Sequence, residues 1–238
     1  CQNGTTTPQD QVPTALTLTS TFVDMTFLGQ TAPMGLTVRD QSGETMTGQT
    51  IEWLSGDPVV FTVTAGVLTA VANGTATLTA SLGELSATAT VKVEQIATGV
   101  AIVSGLSQDA INGTALSEAI VAQARDAGGS AVAGANVTFT PAADNGSVSV
   151  DSGTADSMGE LSTVWTLGIQ FGPQTLVAAS GGGTAEVSAF SRSINPLPDL
   201  VIDDPPVFSR YDPTNLEEIT VSATVKNNGD DTTGAGFR

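Results

Sequence analysis

Hydrophobic and polar positions alternate in short runs along most of the chain. Between Ala87 and Val93, alanine and valine alternate with threonine and lysine, and the same two-residue period returns between Ile219 and Val225. Side chains of a β-strand point alternately to its two faces, so each run predicts a strand with one buried and one solvated face. Glycine, asparagine and aspartate separate the runs, as expected for turns. The pattern predicts an all-β fold.

Seven of these runs follow one another in the first part of the chain. They are ALTLTS, GLTVR, TIEWLS, VVFTVTAG, GVLTAV, TATLTA and SATATVKV. The dipeptide Asn73-Gly74 lies between two of them, and Asn-Gly is strongly favoured in two-residue β-hairpin turns. We therefore expect the strands on either side of Asn73-Gly74 to pair as a hairpin.

One segment of the sequence occurs twice. Residues 39–53, RDQSGETMTGQTIEW, align without a gap with residues 125–139, RDAGGSAVAGANVTF, and a weaker third copy begins at Lys226. The copies start roughly 85 to 100 residues apart, which is the size of one immunoglobulin-like sandwich. The sequence therefore predicts tandem immunoglobulin-like β-sandwiches.

Each copy of the segment predicts a strand, a turn and a returning strand. The aspartate is expected to hydrogen-bond the turn backbone, and the glycine three residues later supplies a positive φ. A large aromatic residue on the returning strand then faces the core. The predicted turn residues are Asp40, Gly43, Gly48, Asp126, Gly129 and Gly134, and the predicted core aromatics are Trp53 and Phe139.

Three stretches resemble known families of bacterial surface domains. WLSGDPVVFTV and GVLTAVANGTATLTA are similar to the bacterial immunoglobulin-like domain of group 2. VAQARDAGGSAVAGANVTFTP and GELSTVWTLG are similar to group 1, the invasin and intimin type, and the alternation there predicts that Trp165 is a core residue. PDLVI with ITVSATVKNNGDDTTGAGF resembles the start of the cell-adhesion-related domain found in bacteria, CARDB.

These resemblances imply a division of the chain into four parts. Residues 1–11 are a flexible tether, residues 12–95 form the group 2-like domain and residues 96–193 form the group 1-like domain. Residues 194–238 comprise a proline-rich linker and an incomplete CARDB-like β-domain. The junction of the second and third parts contains neither glycine nor proline, so we expect limited bending there.

Composition narrows the classes of function. The absence of histidine and the single cysteine remove histidine-based catalysis, histidine-ligated zinc and an internal disulfide. With 24 acidic and 7 basic residues, the net charge of −17 argues against nucleic acid as a partner. Asp151, Asp156 and Glu160 lie in a Gly/Ser-rich stretch, where nothing desolvates them for carboxylate-pair catalysis. We expect no enzymatic activity.

An acidic cluster is the one candidate metal site. Asp199, Asp203 and Asp204 crowd the proline-rich linker, and calcium favours carboxylate oxygens. Their spacing matches no calcium-loop motif, and acidic linkers are commonly just solvated. Calcium stays open as a ligand, and no other cofactor is expected.

The first residue is the only cysteine, and a polar stretch follows it. CQNG followed by TTTPQDQ resembles the start of a mature bacterial lipoprotein. That resemblance implies lipid on Cys1, a membrane as partner, and a location in the bacterial cell envelope at the outer membrane or cell surface. An arbitrary boundary of the sequence or a free thiol is the alternative.

The sequence thus favours a non-enzymatic, lipid-anchored surface protein. Its modules would form a stalk or adhesive array, with a protein or polysaccharide ligand on another cell or matrix. The alternative is a non-catalytic accessory region of a larger surface enzyme. Fold alone does not separate these functions.

Overall fold

The computed structural model describes residues 10–193 and four short strands beyond them. Those strands are β21 (Leu200–Ile202), β22 (Val207–Phe208), β23 (Val221–Ser222) and β24 (Val225–Asn227). The chain divides into two compact units, Cys1–Arg192 and Ser193–Arg238. Among the described residues, no helix is long and apolar enough to cross a membrane.

The first sandwich comprises the strands between residues 13 and 93. They are β1 (Pro13–Leu18), β2 (Phe22–Met25), β3 (Thr31–Pro33), β4 (Leu36–Asp40), β5 (Thr45–Met46), β6 (Glu52–Ser55), β7 (Phe61–Thr64), β8 (Val67–Ala70), β9 (Gly74–Leu82) and β10 (Leu85–Val93). One layer contains the sheets β1-β4-β5 and β3-β8-β7, and the other is β2-β10-β9-β6. The first edge strand is split, because β1 pairs with β4 whereas β2 crosses over and pairs in parallel with β10.

The second sandwich comprises the strands between residues 99 and 192. They are β11 (Gly99–Ser104), β12 (Asp109–Ile111), β13 (Ile120–Arg125), β14 (Asn136–Pro141), β15 (Ser147–Val148), β16 (Ser152–Thr154), β17 (Glu160–Thr163), β18 (Trp165–Thr166), β19 (Gly172–Ser180) and β20 (Gly183–Arg192). Its layers are β11-β13-β17 and β12-β20-β19-β14-β16, with a small β15-β18 pair. The first edge strand is again split, since β12 pairs in parallel with β20. The shared plan confirms the predicted all-β fold of tandem immunoglobulin-like β-sandwiches.

Each sandwich encloses its own core. In β10, Ala89, Val91 and Val93 are buried, Thr88 and Thr90 are exposed and Lys92 is half-buried, as the alternation predicted. The wholly buried side chains of the first core include Met25, Phe61, Leu68, Leu78 and Val91. Those of the second include Ile120, Val137, Trp165, Leu176 and Ala178.

The hairpin predicted at Asn73-Gly74 is wrong. Strand β8 ends before this dipeptide and pairs with β3 and β7, whereas β9 begins at Gly74 and pairs with β10 and β6. The dipeptide therefore carries the chain from one layer to the other. Glycine is required at position 74 for space, because a Cβ there would lie 2.7 Å from Cγ2 of Val60.

The returning strand predicted in the repeated segment is shorter than expected. After the Asp40 turn, β5 pairs with β4 over Thr45–Met46 and then the chain crosses to the opposite layer. Trp53 consequently lies in β6, which pairs with β9. In the second sandwich the return is a single bridge, Arg125 to Ala131, before β14 joins β19.

The second unit contains two antiparallel pairs among its described residues. Strand β21 pairs with β24, and β22 pairs with β23. The alternating run from Ile219 to Val225 contributes to both pairs.

Candidate functional site

The turn after β4 is held by a buried carboxylate. Oδ1 of Asp40 accepts hydrogen bonds from the backbone N–H groups of Ser42 at 2.8 Å and Glu44 at 2.9 Å. Gly43 closes the turn at φ 83°, a left-handed conformation that glycine adopts without steric cost. Gly48, at φ 74°, makes the bend that follows.

The turn after β13 repeats this arrangement. Oδ1 of Asp126 accepts hydrogen bonds from the N–H groups of Gly128 at 3.0 Å and Ser130 at 2.9 Å. Gly129 has φ 86° and Gly134 has φ 74°. The repeat in sequence is therefore a repeat of one hydrogen-bonded turn.

The three aromatic residues that the sequence assigned to the core differ in burial. Phe139 is 2% exposed and Trp165 is fully buried. The indole Nε1 of Trp165 donates a hydrogen bond to the carbonyl oxygen of Asn145 at 2.8 Å, which satisfies its polar atom. Trp53 is only half-buried and contacts both apolar clusters of the first sandwich.

The second carboxylate also joins the two sandwiches. Oδ2 of Asp126 accepts a hydrogen bond from the N–H of Leu28 in the first sandwich at 3.1 Å, and another from Nε2 of Gln95 at 2.9 Å. Asp126 is 4% exposed. Hydrogen bonds to a charged and buried acceptor are stronger than neutral ones, so this carboxylate fixes one sandwich on the other.

Gln95, in the connecting segment, is bonded from both sides. Its Nε2 also donates to the carbonyl oxygen of Ala131 at 3.1 Å. Its backbone N–H donates to Oδ1 of Asn73 at 2.8 Å, and its Oε1 accepts from Nδ2 of Asn73 at 3.2 Å. The Asn73 amide thus holds the connection instead of forming the predicted hairpin turn.

The backbone of the connecting segment is tied down residue by residue. The N–H of Ile96 donates to the carbonyl oxygen of Thr26 in the first sandwich at 2.9 Å. Two residues later, the N–H of Thr98 donates to the carbonyl oxygen of Arg125 in the second at 2.8 Å. A connection held on both sides in this way has little freedom to swing.

A glycine lets the two sandwiches approach. A Cβ at Gly128 would lie 2.9 Å from the carbonyl oxygen of Leu28 and 3.0 Å from Cδ2 of Phe27. The equivalent position in the first sandwich is Ser42, whose turn faces Gln11 instead: Nε2 of Gln11 donates to Oδ2 of Asp40 at 3.2 Å. The second turn is therefore adapted to a neighbouring backbone and the first is not.

Hydrogen bonding holds both carboxylates in their charged form. At Asp126, burial raises the pKa, but hydrogen bonds from Gln95, from Leu28 and from its own turn outweigh burial and bring the pKa below the ordinary 3.8. At Asp40, burial also raises the pKa, and the bonds of its own turn together with that from Gln11 lower it on balance.

An open cleft of about 470 Å³ lies beside the joint. It runs from Gln95 along small side chains of the second sandwich, including Ala133, Ala135 and Ser180. Such a lining offers neither an apolar pocket with convergent polar groups nor a nucleophile with an adjacent base. The cleft is therefore better suited to contact between domains than to catalysis or to binding a small molecule.

Several predicted site residues lie outside the described residues. These are Cys1 and the candidate calcium ligands Asp199, Asp203 and Asp204. Within the described part of the chain, no group of three or more His, Cys, Asp or Glu side chains is placed to hold a metal ion.

The residues that complete the joint were missed by sequence reasoning. Gln95 and Leu28 lie far from Asp126 in the sequence, and only folding brings them to it. Gly128 belongs to the Asp126 turn, but it meets Leu28 only after folding. One signal was present: a glutamine precedes each aspartate, Gln11 by 29 residues and Gln95 by 31.

Comparison with known proteins yields likenesses of fold. No family model and no curated protein matches the sequence. The adhesin InvE of Yersinia pseudotuberculosis is similar at 19% identity and TM-score 0.38, over 82% of this chain and 66% of that one. The chain therefore spans just under two thirds of the InvE structure.

Two further solved structures are similar over three quarters of this chain. Domains 4 and 5 of the S-layer protein SbsC have 23% identity and a TM-score of 0.35, with 75% of this chain and 98% of that chain covered. The D0–D1 domain of Intimin has 17% identity and a TM-score of 0.31, with 75% and 99% covered. The fold assignment rests on the strand pairing described above.

Proposed function

We propose that the chain is a non-enzymatic surface protein whose two sandwiches act as a rigid spacer in a stalk or adhesive array. One observation carries the proposal, namely that the buried Asp126 carboxylate accepts hydrogen bonds from both the first sandwich and the connecting segment. A spacer needs fixed angles between its modules, and this joint supplies one. The sequence resemblance to invasin-type domains agrees with the same role.

The chemistry of the joint supports a mechanical role. Its contacts are backbone N–H groups, amides and one carboxylate held charged by hydrogen bonds, so no group is poised to exchange a proton near neutral pH. Hydrogen bonds to a charged acceptor each contribute about 1.5–3 kcal/mol.

Residual dipolar couplings measured on the full chain test the spacer. Amides of the two sandwiches should fit one alignment tensor, because a rigid joint makes them tumble together. Gly128→Ser should give two different tensors while each sandwich stays folded. Two tensors in the unaltered protein would mean that the sandwiches reorient freely, and the spacer role would be rejected.

We also propose that Cys1 carries the lipid anchor that places the spacer at the bacterial envelope. Support comes from the single cysteine followed by a polar stretch, and more than one acyl chain would hold the protein stably on a membrane. Mass spectrometry of the native, detergent-extracted protein should show acyl mass on the peptide containing Cys1. An unmodified thiol in native material would reject the anchor and leave the spacer proposal untouched.

A further inference from the structure

The two sandwiches differ at one edge of otherwise equivalent sheets. Trp53 and Phe139 occupy equivalent positions in the repeated segment, on β6 and β14. Each strand pairs on one side with the long strand that follows it in the same layer, β6 with β9 and β14 with β19. The two strands differ on their other side.

The other side of β14 is covered by a short strand of the same chain. Strand β16 pairs with it in antiparallel register, with Asn136 opposite Thr154 and Thr138 opposite Ser152. That strand comes from the long connection over residues 142–159. In the first sandwich the connection from β6 to β7 is only residues 56–60, and among the described residues no strand lies on this side of β6.

The missing cover leaves apolar side chains partly open. In β14, Val137 is fully buried and Phe139 is 2% exposed. Their equivalents, Ile51 and Trp53, are both half-buried. Leu54, on the opposite face of β6, is 64% exposed. Strand β6 therefore lacks the covering strand that β16 provides for β14 in the second sandwich.

A cavity marks the uncovered edge. It has a volume of about 230 Å³ and is lined by Trp53, Leu54, Ser55, Pro58, Thr62 and Val63. The Oγ of Ser55 is buried and has no hydrogen-bond partner among the described residues. Buried hydroxyl groups are nearly always bonded, so the Ser55 oxygen is available to a polar group that enters the cavity.

We infer that the free edge of β6 binds an extended segment of a partner polypeptide, which adds to the sheet as an antiparallel strand. The partner's main chain pairs with the outward N–H and C=O groups of β6, and one apolar side chain enters the cavity beside Trp53. Its outward residues are basic, because they lie across from the exposed Glu52 and near Asp57. A second copy of the chain is disfavoured as occupant by the net charge of −17.

A designed peptide tests the inference on the full chain. The probe is a capped synthetic peptide in which lysine and valine alternate, so that one face is basic and the other apolar. Binding should shift the amide resonances of β6 and move the fluorescence of Trp53 to shorter wavelength. Trp165 is already fully buried and should not respond. The same peptide with N-methylated central amides keeps charge and side chains and should bind at least about tenfold more weakly, since it cannot donate to β6.

Two charge variants of the protein complete the test. Glu52→Lys should weaken probe binding several-fold, whereas Glu84→Lys, the same charge change in the turn between β9 and β10, should have little effect. No saturable binding, equal binding of the N-methylated peptide, or equal effects of the two variants would each overturn the inference. Self-association of the protein that protects the β6 amides would also overturn it, because the occupant would then be a second copy.

Discussion

At the scale of single residues, two copies of one turn have acquired different uses. Both aspartates bind the two N–H groups of their own turn through Oδ1. What differs is the partner of Oδ2, which is the nearby Gln11 for Asp40 but a neighbouring sandwich for Asp126. Position 128 is glycine where the first copy has Ser42, and the absence of a Cβ at position 128 lets the Leu28 backbone approach.

We expect Gly128→Ser to open the joint while leaving both sandwiches folded. The new Cβ would meet the carbonyl oxygen of Leu28 at 2.9 Å, and rigid backbone on both sides cannot yield cheaply. Hydrogen exchange at the Leu28 amide should accelerate by at least about tenfold, equivalent to ~1.4 kcal/mol. Ser42→Gly, the reverse change in the first turn, is the control and should leave the joint unchanged. Unaltered exchange at Leu28 in Gly128→Ser would contradict the steric argument.

Gly43→Ala and Gly129→Ala should each destabilise their own sandwich by about 1 kcal/mol. Nothing lies within 4 Å of a Cβ at either position, so the cost comes from the left-handed backbone alone. Hydrogen exchange, measured separately for the amides of each sandwich, should show this loss of stability. Gly43→Ala should affect the first sandwich and Gly129→Ala the second. A loss above about 3 kcal/mol would indicate a contact that the geometry does not show.

Sequence reasoning succeeded at these turns because their chemistry is local. An aspartate followed three residues later by glycine determines its own hydrogen bonds and its own φ angle. It failed at Gly128, because Phe27 and Leu28 lie far from it along the chain and meet it only after folding. It failed at Gln95 for the same reason, since folding brings its side chain to Asp126. No local pattern specifies such a contact.

At the scale of strands, alternation predicted the long elements and missed the short ones. β10 has nine residues and a clear two-residue period, whereas β3 and β5 have three and two residues and carry no period to detect. The error at Asn73-Gly74 has a different cause. Its turn propensity is real, but tertiary contacts with Gln95 and Val60 direct the chain across the layers instead.

Acid should loosen the joint between these elements. The pKa of Asp126 in the folded protein lies below the ordinary 3.8, so its stabilising contribution is fully present above pH 3.8 and is lost as the pH falls through the lower folded value. Amide resonances of Leu28 and the side chain of Gln95, followed from about pH 6 to about pH 2, should report this loss. Asp126→Asn should abolish the response at Leu28. A transition centred above pH 3.8 would contradict the assignment.

At the scale of the whole molecule, the dominant property is an excess of negative charge. The chain carries 24 acidic and 7 basic residues. Among the described residues, two ion pairs occur, Lys92 with Glu94 and Arg192 with Asp109, and all four side chains are substantially exposed. Exposed pairs contribute little to stability, so repulsion among the remaining carboxylates opposes the folded state.

Salt should therefore stabilise the protein. Raising sodium chloride from about 20 to about 500 mM shortens the Debye length from ~20 to ~4 Å and screens this repulsion. The midpoint of thermal unfolding should rise, by about 2–4 °C for each kcal/mol gained in a chain of this length. A falling midpoint would mean that attractive pairs dominate, contrary to the composition.

Calcium and magnesium at matched ionic strength separate screening from a specific site. Screening depends on charge and concentration alone, so the two cations should raise the midpoint equally if the acidic linker is simply solvated. A calcium site would need several carboxylate oxygens, and Asp199, Asp203 and Asp204 are the residues that the sequence offers. The triple change of these residues to asparagine is the matched variant. An additional rise with calcium that this variant removes would establish the site, and equal rises in both proteins would leave screening as the whole effect.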